Sequence, residues 1–333
     1  MSVFIVKDDT VKVDGRNFLR LSTKKLLQIL LKGYIMKKVF VLGSVNFDMT
    51  IYTDKLPDAG ETVCGYDFMS NSGGKGANQA VAVSKLGGDA CLIGSVGRDF
   101  FGQQCMEILK KFGVDLRHVQ LSDKNTGTAV VIIKDADNRI IIDHGANFAL
   151  QPQFVEKVIR ENVREGDVLV TQMEILADCV EAGLKTAKEM GAVTVLNPAP
   201  SQGVTDSILR YADYVIPNEY EARDICGIEA KNLQDLCAID RILHSKGVKN
   251  VIVTLGDKGC YYDGKIYPAL SIADAVDTTA AGDTFVGALC VKLAEGTDVE
   301  QSLSFCQAAS GITVMRRGAQ VAIPYLEELK QVV

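Results

Sequence analysis

The chain has 333 residues, 47% of them hydrophobic and 23% charged, with a formal net charge of −6. That length and apolar content suit two domains or one large α/β domain. The acidic balance excludes a broad basic field for nucleic acid or an anionic membrane surface. Nine cysteines (Cys64, Cys91, Cys105, Cys179, Cys226, Cys237, Cys260, Cys290 and Cys306) are scattered, odd in number and never spaced C-x-x-C. They read as reduced core thiols of a cytoplasmic protein, not as a disulfide frame or zinc site. The histidines His118, His144 and His244 lie outside any metal-ligand spacing.

Residues 1–35 differ in character from the rest of the chain. The stretch FLRLSTKKLLQILLKGYIM has the pattern of a basic amphipathic helix. Lys24, Lys25, Gln28 and Lys32 make it too short and too charged to span a bilayer, and it lacks the order of a secretory signal. It reads either as a surface or partner helix or as an upstream extension, with Met36 opening the domain proper at MKKVFVLGS.

From Met36 onward, short β-branched runs alternate with longer amphipathic stretches. KVFVLGS, DACLIGSV, DVLVTQM, AVTVLNPAP, ADYVIPN and NVIVTLG read as buried strands. GANQAVAVSKLG, FGQQCMEILKKFG, LADCVEAGLKTAKEMG and LQDLCAIDRILHSKG read as helices that stop at glycine. Strand then helix, repeated, predicts an α/β fold with a mostly parallel sheet covered on both faces. Ligands then bind at the carboxyl ends of the strands, where Asn46, Asp48, Glu174, Asn197, Asn218 and Glu221 fall. Two segments break the alternation, about 47–72 and 126–147. The second, GTAVVIIKDADNRIIIDHGAN, predicts a hairpin turning at DADN. Together they predict a small β-sheet standing off the main one as a flap over the site. No linker, low-complexity tract or internal repeat divides residues 36–333.

Two familiar phosphate motifs are absent. SNSGGKGAN fails as a P-loop because Met69 holds the first glycine position and Gly76 follows Lys75, and GSVNFD after the first strand is not G-x-G-x-x-G. The stretch DTTAAGDTF, Asp277 to Phe285, is the stronger candidate. A helix opening near Gly282 presents the amides of Ala280, Ala281 and Gly282 to an anion. Asp283 then stands where a carboxylate can accept a hydroxyl proton. Taken alone, the stretch reads equally as a helix start with a first-turn acid. Its company narrows the choice. GGKGAN offers flexible backbone beside Lys75 and Asn78, and NFD offers Asn46 and Asp48 to neighbouring hydroxyls of a polyol. PNEYE sets Asn218 and Glu221 one turn apart, suited to a magnesium ion's water shell.

These motifs resemble the ribokinase-like family of carbohydrate and nucleoside kinases, from about Lys37 to Glu327. GGKGANQA and DTTAAGDTF are its two signatures, and LGSVNFD, AGETV, the GAN at Gly145–Asn147, LNPAP, PNEYE, TLGDKG and RRGAQ point to the ribokinase branch. The resemblance implies a three-layer α/β fold with a β-sheet lid formed by about 47–72 and 126–147, and dimers made through the lids. It implies transfer of the ATP γ-phosphate to a sugar's primary hydroxyl, O5 in ribose, giving ribose 5-phosphate. Carried over by motif, Asp283 is the base and Ala280, Ala281 and Gly282 supply the anion hole. Asn46, Asp48, Gly74, Lys75, Gly76, Asn78 and Glu174 fall at sugar-binding positions. Asn218, Thr254, Gly256, Gly259, Gly282 and Gln307 fall at nucleotide positions, and Glu221 at that of the magnesium-associated acid. An activating potassium ion is implied beside Asp277, Thr279, Thr313, Arg316 and Gly318. A serine common four residues past that glycine is here Ala322. A kinase for deoxyribose or another furanose, and a non-catalytic sugar-binding regulator, are the alternatives.

Overall fold

The computed structural model describes residues 37–330 apart from 136 and 271–274, together with three short strands near the N-terminus. It divides into two units, Met1–Lys37 and Lys38–Val333. In the first unit, β1 (Ile5–Val6), β2 (Thr10–Val13) and β3 (Arg16–Phe18) form an antiparallel meander, with Ile5 opposite Val11 and Val11 opposite Phe18. Phe18 ends β3, and the rest of the expected amphipathic helix lies outside the described residues.

The second unit is built on a nine-stranded sheet. Its strands are β4 (Lys38–Leu42), β7 (Asp89–Gly97), β8 (Asp115–Ser122), β11 (Val168–Thr171), β12 (Val193–Leu196), β13 (Tyr214–Val215), β14 (Asn250–Thr254), β15 (Cys260–Tyr262) and β16 (Lys265–Tyr267). From β8 to β14 every pairing is parallel, and β15 and β16 finish one edge as an antiparallel hairpin. Alternation in β4 explains why its whole run is apolar. Val39 and Val41 enter one core while Phe40 and Leu42 enter the other. The first core also takes α1 (Lys75–Lys85), α2 (Phe100–Lys111), α8 (Ala281–Ala294), α9 (Val299–Val314) and α10 (Leu326–Leu329). The second takes α3 (Pro152–Asn162), α4 (Ala177–Glu189), α5 (Asp206–Leu209), α6 (Glu219–Cys226) and α7 (Leu233–Ser245).

Chain order reverses between β4 and its neighbour β11, because β7 and β8 extend the sheet one way and β11 to β14 the other. A crevice therefore opens at the carboxyl ends of β4 and β11, the usual place for a ligand in such sheets. Beside it stands a four-stranded sheet of β5 (Asn46–Tyr52), β6 (Tyr66–Gly73), β9 (Gly127–Lys134) and β10 (Asp137–Asp143), ordered β10-β9-β5-β6. Its pairings are antiparallel except the parallel β5–β9 contact. The β9–β10 turn is tighter than the DADN expectation. Asp137 and Asn138 already pair with Lys134 and Ile133, and Asp135 stands at φ 53°. Asp tolerates that left-handed conformation better than most residues.

Candidate active site

The crevice is floored where α1 meets the end of β4. Gly76 packs so closely there that a Cβ would stand 2.6 Å from the backbone of Gly43 and Ser44. Its amide is turned toward Ser44 Oγ at 3.3 Å. The missing side chain of Gly76 lets the helix approach the strand this closely. Ser44 Oγ and the Lys75 amide both donate to Glu174 Oε2, at 2.6 and 3.0 Å. That carboxylate ties the ends of β4 and β11 to the start of α1. A similar close approach brings in α8, since a Cβ on Gly287 would meet Ala82 Cβ at 2.5 Å. This packing carries Asp283 against α1.

Asp283 is buried, with 7% of its surface exposed. Its Oδ2 accepts from Asn78 Nδ2 and its Oδ1 from Gln79 Nε2, both at 3.0 Å. Across the crevice, Asp48 on β5 has an Oδ1 with no hydrogen-bond partner among the described residues. A Cβ on Gly73 would lie 1.9 Å from Asp48 Oδ2, so this glycine makes room for the carboxyl group. Burial, then the charges of Glu174 and Asp283, push Asp48 up to about 7. Burial lowers Lys75, but the carboxylates of Asp283, Glu174 and Glu221 outweigh it and hold the ammonium above the ordinary lysine range. Lys75 is thus the cation shared by three acids. Asn46 is also buried, and its Oδ1 accepts from Asn147 Nδ2 at 2.7 Å. Gly74 caps α1 at φ 86°, with no side chain between Asn46 and the crevice.

Beyond Asp283 a cavity of about 870 Å³ opens toward β14. Asn218, Thr254, Gly256, Gly259, Gly282 and Gln307 all line it, together with Phe285 and Ser310. Tyr220, Leu270 and Val314 add apolar side chains to its lining. Thr254 donates its amide to Pro217 O at 2.9 Å and bridges to Asn218. Gln307 Nε2 is held by Tyr267 O at 2.8 Å and Cys260 Sγ at 3.4 Å.

At the mouth between the two halves, α8 starts at Ala281, one residue earlier than expected. Ala280 caps it in the left-handed region at φ 59°. Of the three amides expected to face an anion, that of Ala281 donates to Thr278 O at 3.2 Å. Among the described residues, no acceptor meets the amides of Ala280 and Gly282. A left-handed alanine costs about 1–2 kcal/mol, and strain of this kind gathers at ligand sites. The Ala280 carbonyl is fixed by the amide and hydroxyl of Thr284, each at 2.8 Å.

The two candidate metal segments differ in how free their oxygens are. Glu221 and Asn218 face each other in a reciprocal helix cap, with Asn218 N to Glu221 Oε2 at 2.8 Å and Glu221 N to Asn218 Oδ1 at 2.8 Å. Burial raises Glu221 despite that cap. Asp277 gathers its loop, accepting from the amides of Thr279 and Gly318, each at 2.9 Å. Those hydrogen bonds outweigh burial and hold Asp277 below the usual carboxylate range. Val314 O meets this loop, accepting from the amides of Val276 and Asp277, whereas the buried hydroxyl of Thr313 is spent on Ala309 O and Thr284 Oγ1. The Arg316 guanidinium pairs with Glu328. Among the described residues, no three His, Cys, Asp or Glu side chains converge on one point.

Sequence reasoning gave no role to several residues that hold this site together: it passed over Ser44, Gln79, Gln172 and Gln320, and it named Asn197 only at a strand end and Asn147 only within a motif. Each carries a polar side chain into a buried position. The signal was available in Gln79, which with Asn78 breaks the otherwise small and apolar run ANQAVAV.

The chain belongs to the pfkB family of carbohydrate kinases, whose model matches residues 36–326, and it is a sugar kinase. Within that family it is similar to a ribokinase of Schizosaccharomyces pombe, 38% identical over 310 residues that cover 88% of this chain and 97% of the relative. The solved ribokinase of Thermotoga maritima is 35% identical with a TM-score of 0.79, covering 89% of this chain and 98% of that one. An Arabidopsis thaliana ribokinase complexed with ribose and ATP is 30% identical with a TM-score of 0.81, covering 90% and 99%.

Proposed function

We propose that this chain transfers the γ-phosphate of ATP to O5 of D-ribose, with Asp283 as the base. The observation that carries the reading is the position of Asp283: buried, held by two side-chain amides, and preceded at the crevice by the unpartnered amide of Gly282. The relatives described as ribokinases, and the Arabidopsis complex with ribose and ATP, support the choice of sugar and nucleotide. Ribose lies on the side of Asn46, Asp48, Lys75 and Asn78, where the partnerless Asp48 oxygen accepts from a sugar hydroxyl. ATP lies in the cavity toward β14, with its phosphates at the start of α8. Asp283 takes the O5 proton as the bond to phosphorus forms, and the amides of Ala280 and Gly282 meet the charge on the phosphoryl oxygens. Transfer is direct and in line, without a phosphoenzyme. The four-stranded sheet acts as a lid that excludes water on closure.

Magnesium, when bound, neutralises phosphate charge, and Glu221 would hold it through water, as suits an ion that keeps most of its hydration shell. A potassium ion would draw on Asp277 and the peptide oxygens around Thr279, Thr313, Arg316 and Gly318, a hard oxygen set to which Ala322 adds no side-chain donor. Phe68 (62% exposed) and Ile141 (67% exposed) lie on the small sheet, and we assign that apolar surface to a second copy of the chain meeting lid to lid.

The test is a coupled ATP-consumption assay with ribose, 2-deoxyribose, fructose and adenosine, with and without potassium. Ribose-dependent turnover that rises with potassium is the expected result. Preference for 2-deoxyribose would mean that the site does not rely on the 2-hydroxyl, and would replace the substrate while keeping the chemistry.

A further inference from the structure

The base is gripped by a run of buried carboxamides whose polarity is set from outside the site. At its far end Asn197 Nδ2 donates to Ile216 O at 2.9 Å. A backbone carbonyl only accepts, so the amide nitrogen of Asn197 must face it and Oδ1 must face inward. Gln79 Nε2 donates to that Oδ1 at 3.1 Å, and with its other hydrogen to Asp283 Oδ1 at 3.0 Å. Gln79 Oε1 is left facing the other way, where Gln172 Nε2 donates to it at 2.6 Å. The orientation of Ile216 O thus dictates, through two side chains, that a donor meets Asp283.

A second arm reaches the other oxygen. Lys85 Nζ, buried between helix and loop, donates to the carbonyls of Gln320 and Ile323, both at 2.9 Å. It also sits 4.6 Å from the Phe112 ring centre and 4.8 Å from that of Tyr325. So anchored, Gln320 sends Nε2 to Asn78 Oδ1 and Ser72 Oγ, each at 3.2 Å. That fixes the Asn78 amide with its nitrogen toward Asp283 Oδ2. Gln79, Gln172, Asn197 and Gln320 are all buried. A core gains little from so many polar side chains, because apolar residues of the same shape need no partners.

We propose that Gln79 and Gln320 are positioning residues for the base: Gln79 aims an amide N–H at Asp283 directly, and Gln320 does so through Asn78, so that the remaining lone pairs of Asp283 face the sugar hydroxyl. This rests on the reading of Asp283 as the base. Displacement of a catalytic group by about 1 Å costs on the order of 100-fold in rate. We therefore expect Gln79→Met to lower turnover about 10- to 100-fold, and Gln320→Met, one side chain further removed, by less.

The experiment measures kcat per ribose-binding site, with sites counted by calorimetry, so that unfolded protein does not enter the rate. The expected result has three parts: kcat falls in both variants, ribose affinity stays within about twofold, and the acidic limb of the kcat profile of Gln79→Met moves to higher pH. The pH shift is expected because a lost N–H donor disfavours a charged carboxylate. A purely structural role would leave that limb in place. Should Gln79→Met not fold, Gln320→Met carries the test alone, because it leaves both direct partners of Asp283 in place and is expected to lower kcat with ribose affinity kept. Asp283→Asn runs alongside. If it abolishes turnover while both glutamine variants keep wild-type kcat and pH profile, the positioning role is wrong and the base stands. If Asp283→Asn itself turns over normally, the base assignment is wrong.

Discussion

The two halves of the cleft are built by opposite means. On the side we assign to the sugar, Asp48, Lys75, Asn78, Glu174 and Asp283 are side chains set among other side chains: Ser44 on Glu174, Asn147 on Asn46, Gln79 and Asn78 on Asp283. On the side we assign to the nucleotide, the cavity is bordered by turns: Gly256 and Gly259 take positive φ values of 61° and 102° and Ala280 takes 59°, while Gln307 is tied to Tyr267 O. A small polyol must be recognised hydroxyl by hydroxyl and its reacting oxygen held still, which calls for rigid side-chain donors and acceptors. A polyphosphate carries its charge on oxygens that backbone amides satisfy equally well.

That contrast has consequences that can be set against experiment. The largest falls on the nucleotide backbone. Gly259 lies at φ 102°, ψ −127°, a region almost reserved for glycine. A Cβ there would stand 2.0 Å from Tyr267 O. Gly259→Ala is expected to raise the KM for ATP more than about tenfold, given strain of roughly 1–3 kcal/mol, with ribose affinity unchanged. Equal damage to both substrates would dissolve the distinction between the halves.

On the sugar side the expected effect is a titration. Asp48 sits at about 7 in the free site, and sugar hydroxyls donating to its oxygens favour the charged form. Ribose affinity is then lost as pH falls through that value, by about tenfold from pH 8 to pH 6, while ATP affinity changes little over the same window. Calorimetry across that range checks both, and Asp48→Asn should flatten the ribose curve. A flat curve in the unmodified protein would remove Asp48 from the sugar site.

The smallest effect concerns the loop joining the halves. Ala322→Ser adds one hydroxyl four residues past Gly318, whose amide donates to Asp277. It is expected to lower the potassium concentration for half-activation about two- to threefold, a hydrogen-bond-sized change. No change would mean that position 322 does not face the ion.

The parallel sheet, its helices and the two segments that break them were legible because their signals are local: β-branched runs, amphipathic stretches and glycine stops. The candidate site was legible as motifs, since Asp283, Lys75 and Asn218 each sit at a strand end or helix start. What sequence did not disclose is pairing across the fold. Nothing in the spacing of Gln79, Asn197 and Ile216 foretells that they meet, because α1, β12 and β13 come together only through the crossovers. The bond of the Ala281 amide to Thr278 was hidden for a related reason, since it accompanies the left-handed turn at Ala280, a conformation that alanine rarely adopts. The close approach of Gly76 to Gly43 and Ser44 likewise depends on how α1 packs on β4.

Removal of the sugar hydroxyl's proton by Asp283 is the step on which the whole reading rests. Its most direct test is turnover of Asp283→Asn with ribose and ATP, paired with ribose binding on the same sample. Turnover is expected to fall on the order of 100- to 10,000-fold, the range of a positioned base, with ribose binding kept within about threefold. Turnover near that of the unmodified chain would contradict the assignment and send the base elsewhere.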